Sequence, residues 1–132
     1  MAAGRYSFVI EQGATLDFEI AYTDSNGDPV DLTDYTGRMQ IKSTRGADTA
    51  YITLSSSLAT DNTGLNFSGS NSVNPPASGT IGIFISANSS SALDFNEAYY
   101  DLEIVSGSVY PVVTRVLEGK VKLSREVTTG NY

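Results

Sequence analysis

The sequence predicts an all-β chain folded as a single antiparallel β-sandwich, with an open β-barrel as the alternative. Three observations carry this. Several segments alternate apolar and polar residues with the period of a half-buried strand. Turn signals rich in Gly, Asn, Asp and Ser recur between them. Only one short stretch has any helical character. At 132 residues the chain fits one domain spanning 1–132 and leaves no room for a second.

Arg5–Ile10 reads as a short apolar strand, interrupted by Glu11-Gln12-Gly13. Thr15–Tyr22 follows, with Leu16, Phe18, Ile20 and Tyr22 on one face and Asp17 and Glu19 on the other. Asp24-Ser25-Asn26-Gly27-Asp28 is a turn, because Asn-Gly tolerates the positive φ angles of tight hairpins. Pro29–Leu32 leaves it extended. Thr36–Ser43 points Met39 and Ile41 inward and Arg38, Gln40 and Lys42 outward, and Ala50–Leu54 is another short strand.

Residues 55–79 form a long polar loop with Leu58, Leu65, Phe67 and Val73 as anchors. Its length exceeds that of ordinary connections, so a short strand is expected inside it at Leu65–Ser68. Pro75-Pro76 blocks regular pairing just after. Thr80–Ser86 places Ile81, Ile83 and Ile85 on one face and Phe84 on the other, so both faces are expected to be covered. Ser86–Phe95 is the one helical candidate, read as two turns capped by Ser86 or Ser89 and anchored by Leu93. Residues 98–128 then read as a long strand, a Ser-Gly-Ser turn and a second strand that bends at Gly119. The ends, 1–4 and 129–132, are expected to be flexible.

Composition excludes several kinds of function. Eight Lys and Arg face fifteen Asp and Glu, for a net charge of −7. Nucleic-acid binding relies on cations that replace phosphate counterions, so no direct nucleic-acid partner is expected, and no anionic membrane surface. With neither Cys nor His, the chain cannot build a Ser-His-Asp triad, a Cys-His pair or a Cys/His zinc site. The reading is therefore of a non-enzyme without metal or cofactor, whose fold rests on burial and hydrogen bonding. The first residues lack the apolar run of a signal peptide, and no segment approaches the ~20 apolar residues of a membrane-spanning helix.

Four groups of residues remain as candidates. Asp24, Asn26, Asp28 and Asp31 suggest calcium, but Pro29 stands where an EF-hand loop needs Gly, so a polar turn is the expected reading. Asp101 and Glu103, joined by Glu118, could form a carboxylate pair of the glycosidase kind. The alternative is a solvated strand face on which Lys120 or Lys122 pairs with them. Eight Tyr and five Phe supply candidate contact residues, chiefly Tyr99-Tyr100, Tyr110 and Tyr132, which could meet a protein partner or stack on a host glycan; the alternative is that most of them fill the sandwich core and edge. Last, Arg115 runs in phase with the apolar Val113, Leu117, Val121 and Leu123. It must then pair with a carboxylate, mark a subunit contact, or be re-phased by a bulge near Gly119.

Three stretches carry a family resemblance: residues 24–43 (DSNGDPVDLTDYTGRMQIKS), 80–95 (TIGIFISANSSSALDF) and 99–128 (YYDLEIVSGSVYPVVTRVLEGKVKLSREVT). Together they resemble a family of small bacteriophage virion proteins and N-terminal modules of tail or baseplate components. The matching positions are Gly27, Pro29, Asp31-Leu32-Thr33, Tyr35, Arg38-Met39-Gln40-Ile41, Tyr100-Asp101-Leu102-Glu103, Arg115, Gly119 and Glu126-Val127-Thr128. Lys42 departs from the family's Arg, and the insert at 55–79 is longer than usual. The resemblance covers about residues 13–128 and implies an immunoglobulin-like or related sandwich. It also implies a virion structural protein, made in the host cytoplasm, that acts by subunit packing as a head decoration or as a tail, baseplate or fibre adaptor. Its partners would be other virion proteins and copies of itself; a carbohydrate-binding adhesion module is the alternative.

Overall fold

Two sheets pack face to face in the computed structural model, which describes residues 4–69, 75–107 and 110–128. The larger sheet contains β1 (Gly4–Arg5), β2 (Phe8–Glu11), β4 (Tyr35–Lys42), β5 (Ala50–Ser55), β8 (Glu97–Ser106) and β9 (Val112–Ser124). The smaller contains β3 (Leu16–Ala21), β6 (Gly64–Asn66) and β7 (Thr80–Ile85). The order is β1/β2-β9-β8-β4-β5 against β3-β7-β6, an open sandwich and not a closed barrel.

Side-chain alternation selects the inner faces. Met39 and Ile41 of β4, Leu102 and Ile104 of β8 and Val121 of β9 face Ile81, Ile83 and Ile85 of β7, all essentially inaccessible. On β3 the inward face is Leu16, Phe18 and Ile20, half-buried against this core, on the face the sequence pattern predicts. At roughly 2 kcal/mol for each fully buried aliphatic side chain, this layer is the main source of stability.

The expected Arg5–Ile10 strand divides into β1 and β2, and both run parallel to β9. The sheet is therefore mixed, and Gly4, expected in a flexible end, is instead paired with Leu117. The Tyr6 carbonyl crosses directly over Gly119, where an added Cβ would come within 2.1 Å of its oxygen. Gly119 is thus the place where the N-terminal strand lies against β9, and β9 continues through it without a break. Beneath, the Tyr100 hydroxyl donates to the Tyr6 carbonyl at 2.6 Å. Phe8 packs edge-on against Tyr100 and tilted against Phe18, closing this side of the sandwich.

The long polar loop does contain its short strand, β6, with Leu65 buried, but Leu58 lies exposed. Val73 lies outside the described residues. A 3-10 turn at Pro76–Ser78 leads into β7. The expected two-turn helix shortens to α1 (Ala87–Ser91), consistent with the modest helix propensity of Asn and Ser. Ser86 is the cap, accepting from the Ser89 amide, and Leu93 is buried as expected. Asp61 accepts from the Ser86 and Ser89 hydroxyls at 2.5 and 2.9 Å and from the Thr63 amide at 3.0 Å. These bonds hold its carboxyl well below the usual range, Ser86 contributing most. The Ser90 hydroxyl, fully buried, accepts from the Gly13 amide and donates to the Ala14 carbonyl, tying α1 to the start of β3.

Candidate functional site

The β8–β9 hairpin holds the residues that matter most. Leu102 pairs with Leu117 and Glu103 with Arg115, which leaves Val116 as an extra residue in β9. This bulge turns Val116 into the core and rotates Arg115 out to solvent. The expectation that Arg115 shares a face with Leu117, Val121 and Leu123 is corrected accordingly. The phase changes at Val116, not at Gly119.

Once outside, Arg115 joins a dense set of charges on the outward face of the larger sheet. Its guanidinium lies 3.5 Å from Asp101 and 3.3 Å from Glu118. Arg45 reaches back from the β4–β5 turn to Glu118 at 3.1 Å, and Arg38 meets Glu103, its cross-strand neighbour, at 2.8 Å. Lys120 is 3.8 Å from Glu97. The carboxylates therefore do pair across strands, but Asp101 and Glu103 do so with arginines and not with Lys120 or Lys122. Burial, followed by the neighbouring Glu103, raises the Asp101 carboxyl above its ordinary value. The Arg45 hydrogen bond lowers Glu118. Each carboxylate is thus tied to a cation, an arrangement that orders a surface.

Tyr99 lies on the same face, its ring beside the Arg45 guanidinium at 5.5 Å and the Lys120 ammonium at 5.7 Å. A sugar stacking on this ring would have to compete with those cations. Around it is a shallow depression of about 430 Å³, bordered by Arg38, Lys42, Arg45, Tyr99, Asp101 and Arg115. The sequence reading missed Arg38, Lys42 and Arg45 as part of this face. The alternation Arg38-Gln40-Lys42 was visible; its register against Glu103, Asp101 and Tyr99 was not.

Tyr110 stands apart from Tyr99, at the tip of the hairpin, and is 88% exposed. Val112 and Val113 beside it are also exposed, and residues 106–114 contain no charge. Tyr35 pairs with Ser106, so the β3–β4 connection emerges at this same end. That connection carries Asp24, Asp28, Asp31 and Asp34, all exposed, and no base. In the Asn26-Gly27 turn the Asp24 carboxylate accepts from the Asn26 and Asp28 amides at 2.9 and 3.0 Å, and Gly27 takes the positive φ. The Thr33 side chain, followed by the Thr33 amide that donates to Asp31 at 2.9 Å, lowers the Asp31 carboxyl. Among the described residues, no group of three or more acidic side chains is arranged to hold a metal ion.

The structure therefore places Tyr99 and Arg115 on one sheet face and Tyr110 at the far tip, while Tyr132 lies outside the described residues. No protein-family model matches the chain, and no curated protein matches it significantly.

Proposed function

We propose that this chain is a bacteriophage virion structural protein that works by packing, as a head decoration or as an adaptor of tail, baseplate or fibre, and is not an enzyme. The observation that carries the reading is the uncharged, apolar hairpin tip at Tyr110–Val113, held out beyond the bulge on a hydrogen-bonded pair of strands. Exposed aromatic and aliphatic groups on a fixed element suit a contact surface. The sequence resemblance supplies the particle. The end that bears the tip corresponds, by fold-level analogy only, to the recognition end of immunoglobulin variable domains. An arginine-neutralised carboxylate set supports the non-enzymatic part.

Mass spectrometry of purified particles tests the proposal. The chain is expected at stoichiometric abundance among the other virion proteins, and its absence from the particle overturns the reading. Binding to a host-polysaccharide array that disappears in Tyr99→Ala would make it a carbohydrate-binding adhesion module instead.

A further inference from the structure

The charges of this chain are sorted in space. The outward face of the larger sheet bears Arg5, Arg38, Lys42, Arg45, Arg115, Lys120 and Lys122, seven of the eight bases, against five of the fifteen acids, Glu11, Glu97, Asp101, Glu103 and Glu118. Everywhere else one base stands against ten acids. In a chain of net charge −7, this one face is therefore locally positive. At one end of the strands, meanwhile, Asp24, Asp28, Asp31 and Asp34 lie on the connection that emerges at the same end as the uncharged tip, with no base among residues 22–34.

The two surfaces complement each other and cannot meet within one molecule, because the tip and the acidic connection extend beyond the strand ends while the basic side chains stand on the sheet. From this charge and shape complementarity we infer that the occupant of the basic sheet face is the acidic, Tyr110-bearing end of a second copy of this chain. Tyr110 enters the depression beside Tyr99 and the arginines, where an aromatic ring gains from facing guanidinium groups. The flanking aspartates then lie over Lys42 and Arg45. Such a contact joins different patches on the two partners, so it propagates head to tail into a ring or a filament and does not stop at a symmetric pair.

The inference rests on the packing role proposed above, and the two fail separately. A chain found in particles but monomeric in solution keeps its virion role and loses the self-contact. Analytical ultracentrifugation over a concentration series, up to the solubility limit, is the first measurement. The expected result is reversible association beyond a dimer; a chain that remains monomeric throughout overturns the inference.

Charge reversal provides the stricter test. Lys42→Glu with Arg45→Glu reverses the face, and Asp28→Lys with Asp31→Lys reverses the acidic end. Like charges set opposite each other cost several kcal/mol, so each variant alone is expected to associate at least about tenfold more weakly than the unaltered chain. Mixed together they are expected to associate again, since each supplies the surface that complements the other's altered one. Circular dichroism first establishes that both variants fold. Two folded variants that associate as strongly alone as the unaltered chain, or that fail to recover when mixed, overturn the inference.

Discussion

The β8–β9 hairpin has two halves of opposite character. In the half running from Glu97 to Leu102, β9 lies between β8 and the N-terminal strands, Val121 is buried within it, and Glu118 and Lys120 on its outward side are tied into ion pairs. In the half beyond the bulge, β9 pairs only with β8 among the described residues, and Val112, Val113 and Tyr110 are bare. The bulge at Val116 divides them. One continuous pair of strands thus supplies both a stabilising centre and a projecting contact, and substitutions on the two sides should affect different properties.

The largest effect on stability is expected at the N-terminal crossing. Gly119→Ala would push a methyl group into the Tyr6 carbonyl, and backbone on both sides must move to relieve it. Overpacking of this kind costs about 1–3 kcal/mol. Chemical denaturation should show that loss with an unchanged denaturant slope. An unchanged midpoint would mean that the N-terminal strand does not lie against β9.

Tyr100→Phe comes next. It removes the hydroxyl that donates to the Tyr6 carbonyl while keeping the ring against Phe8. The expected loss is about 1 kcal/mol, the net worth of one hydrogen bond. Because both substitutions disturb the same carbonyl, the double variant should lose less than the sum of the two, which a double-mutant cycle measures.

A smaller effect depends on pH and lies away from the hairpin. The Asp61 carboxyl is lowered in the folded chain by its hydroxyl and amide donors, so the stability it lends is present above the unfolded pKa, near 4, and is lost as pH falls toward the folded value. Asp61→Asn removes this dependence. The gap in melting temperature between the unaltered chain and the variant should be widest near neutral pH and narrow in acid. A constant gap across that range would show that the carboxylate is not differentially stabilised by folding.

How much of this could be read from the sequence depends on whether a feature is local. The alternation in Thr15–Tyr22 and in Thr36–Ser43 fixes which residues face inward, because side chains alternate whatever strand lies beside them. Partnership is not local. Nothing in Arg5–Ile10 says that it runs parallel to the last strand, and the role of Gly119 follows only from that pairing. The bulge is similar: Thr114-Arg115-Val116-Leu117 contains no Gly or Pro to mark the extra residue. Gly119, the nearest residue with a turn-like identity, is therefore the only place where the sequence itself suggests a re-phasing. At the candidate site, Tyr99, Tyr110 and Arg115 were identifiable by residue type, whereas their separation into a sheet face and a tip required the register of β8 against β9.

The smallest effect on stability, and the sharpest on contact, is expected at the tip. Val112→Thr and Val113→Thr keep the β-branched shape that β9 favours and add only an exposed hydroxyl. Folding free energy should change by less than about 0.5 kcal/mol, since both residues already face water. Tyr110→Ser removes a ring that is almost wholly exposed at the tip. If the distal half exists for contact, the triple variant should melt as the unaltered chain does yet associate more weakly and incorporate less into particles. Lost stability with unchanged association would mean that the tip serves the fold, and the two halves of the hairpin would then share one task.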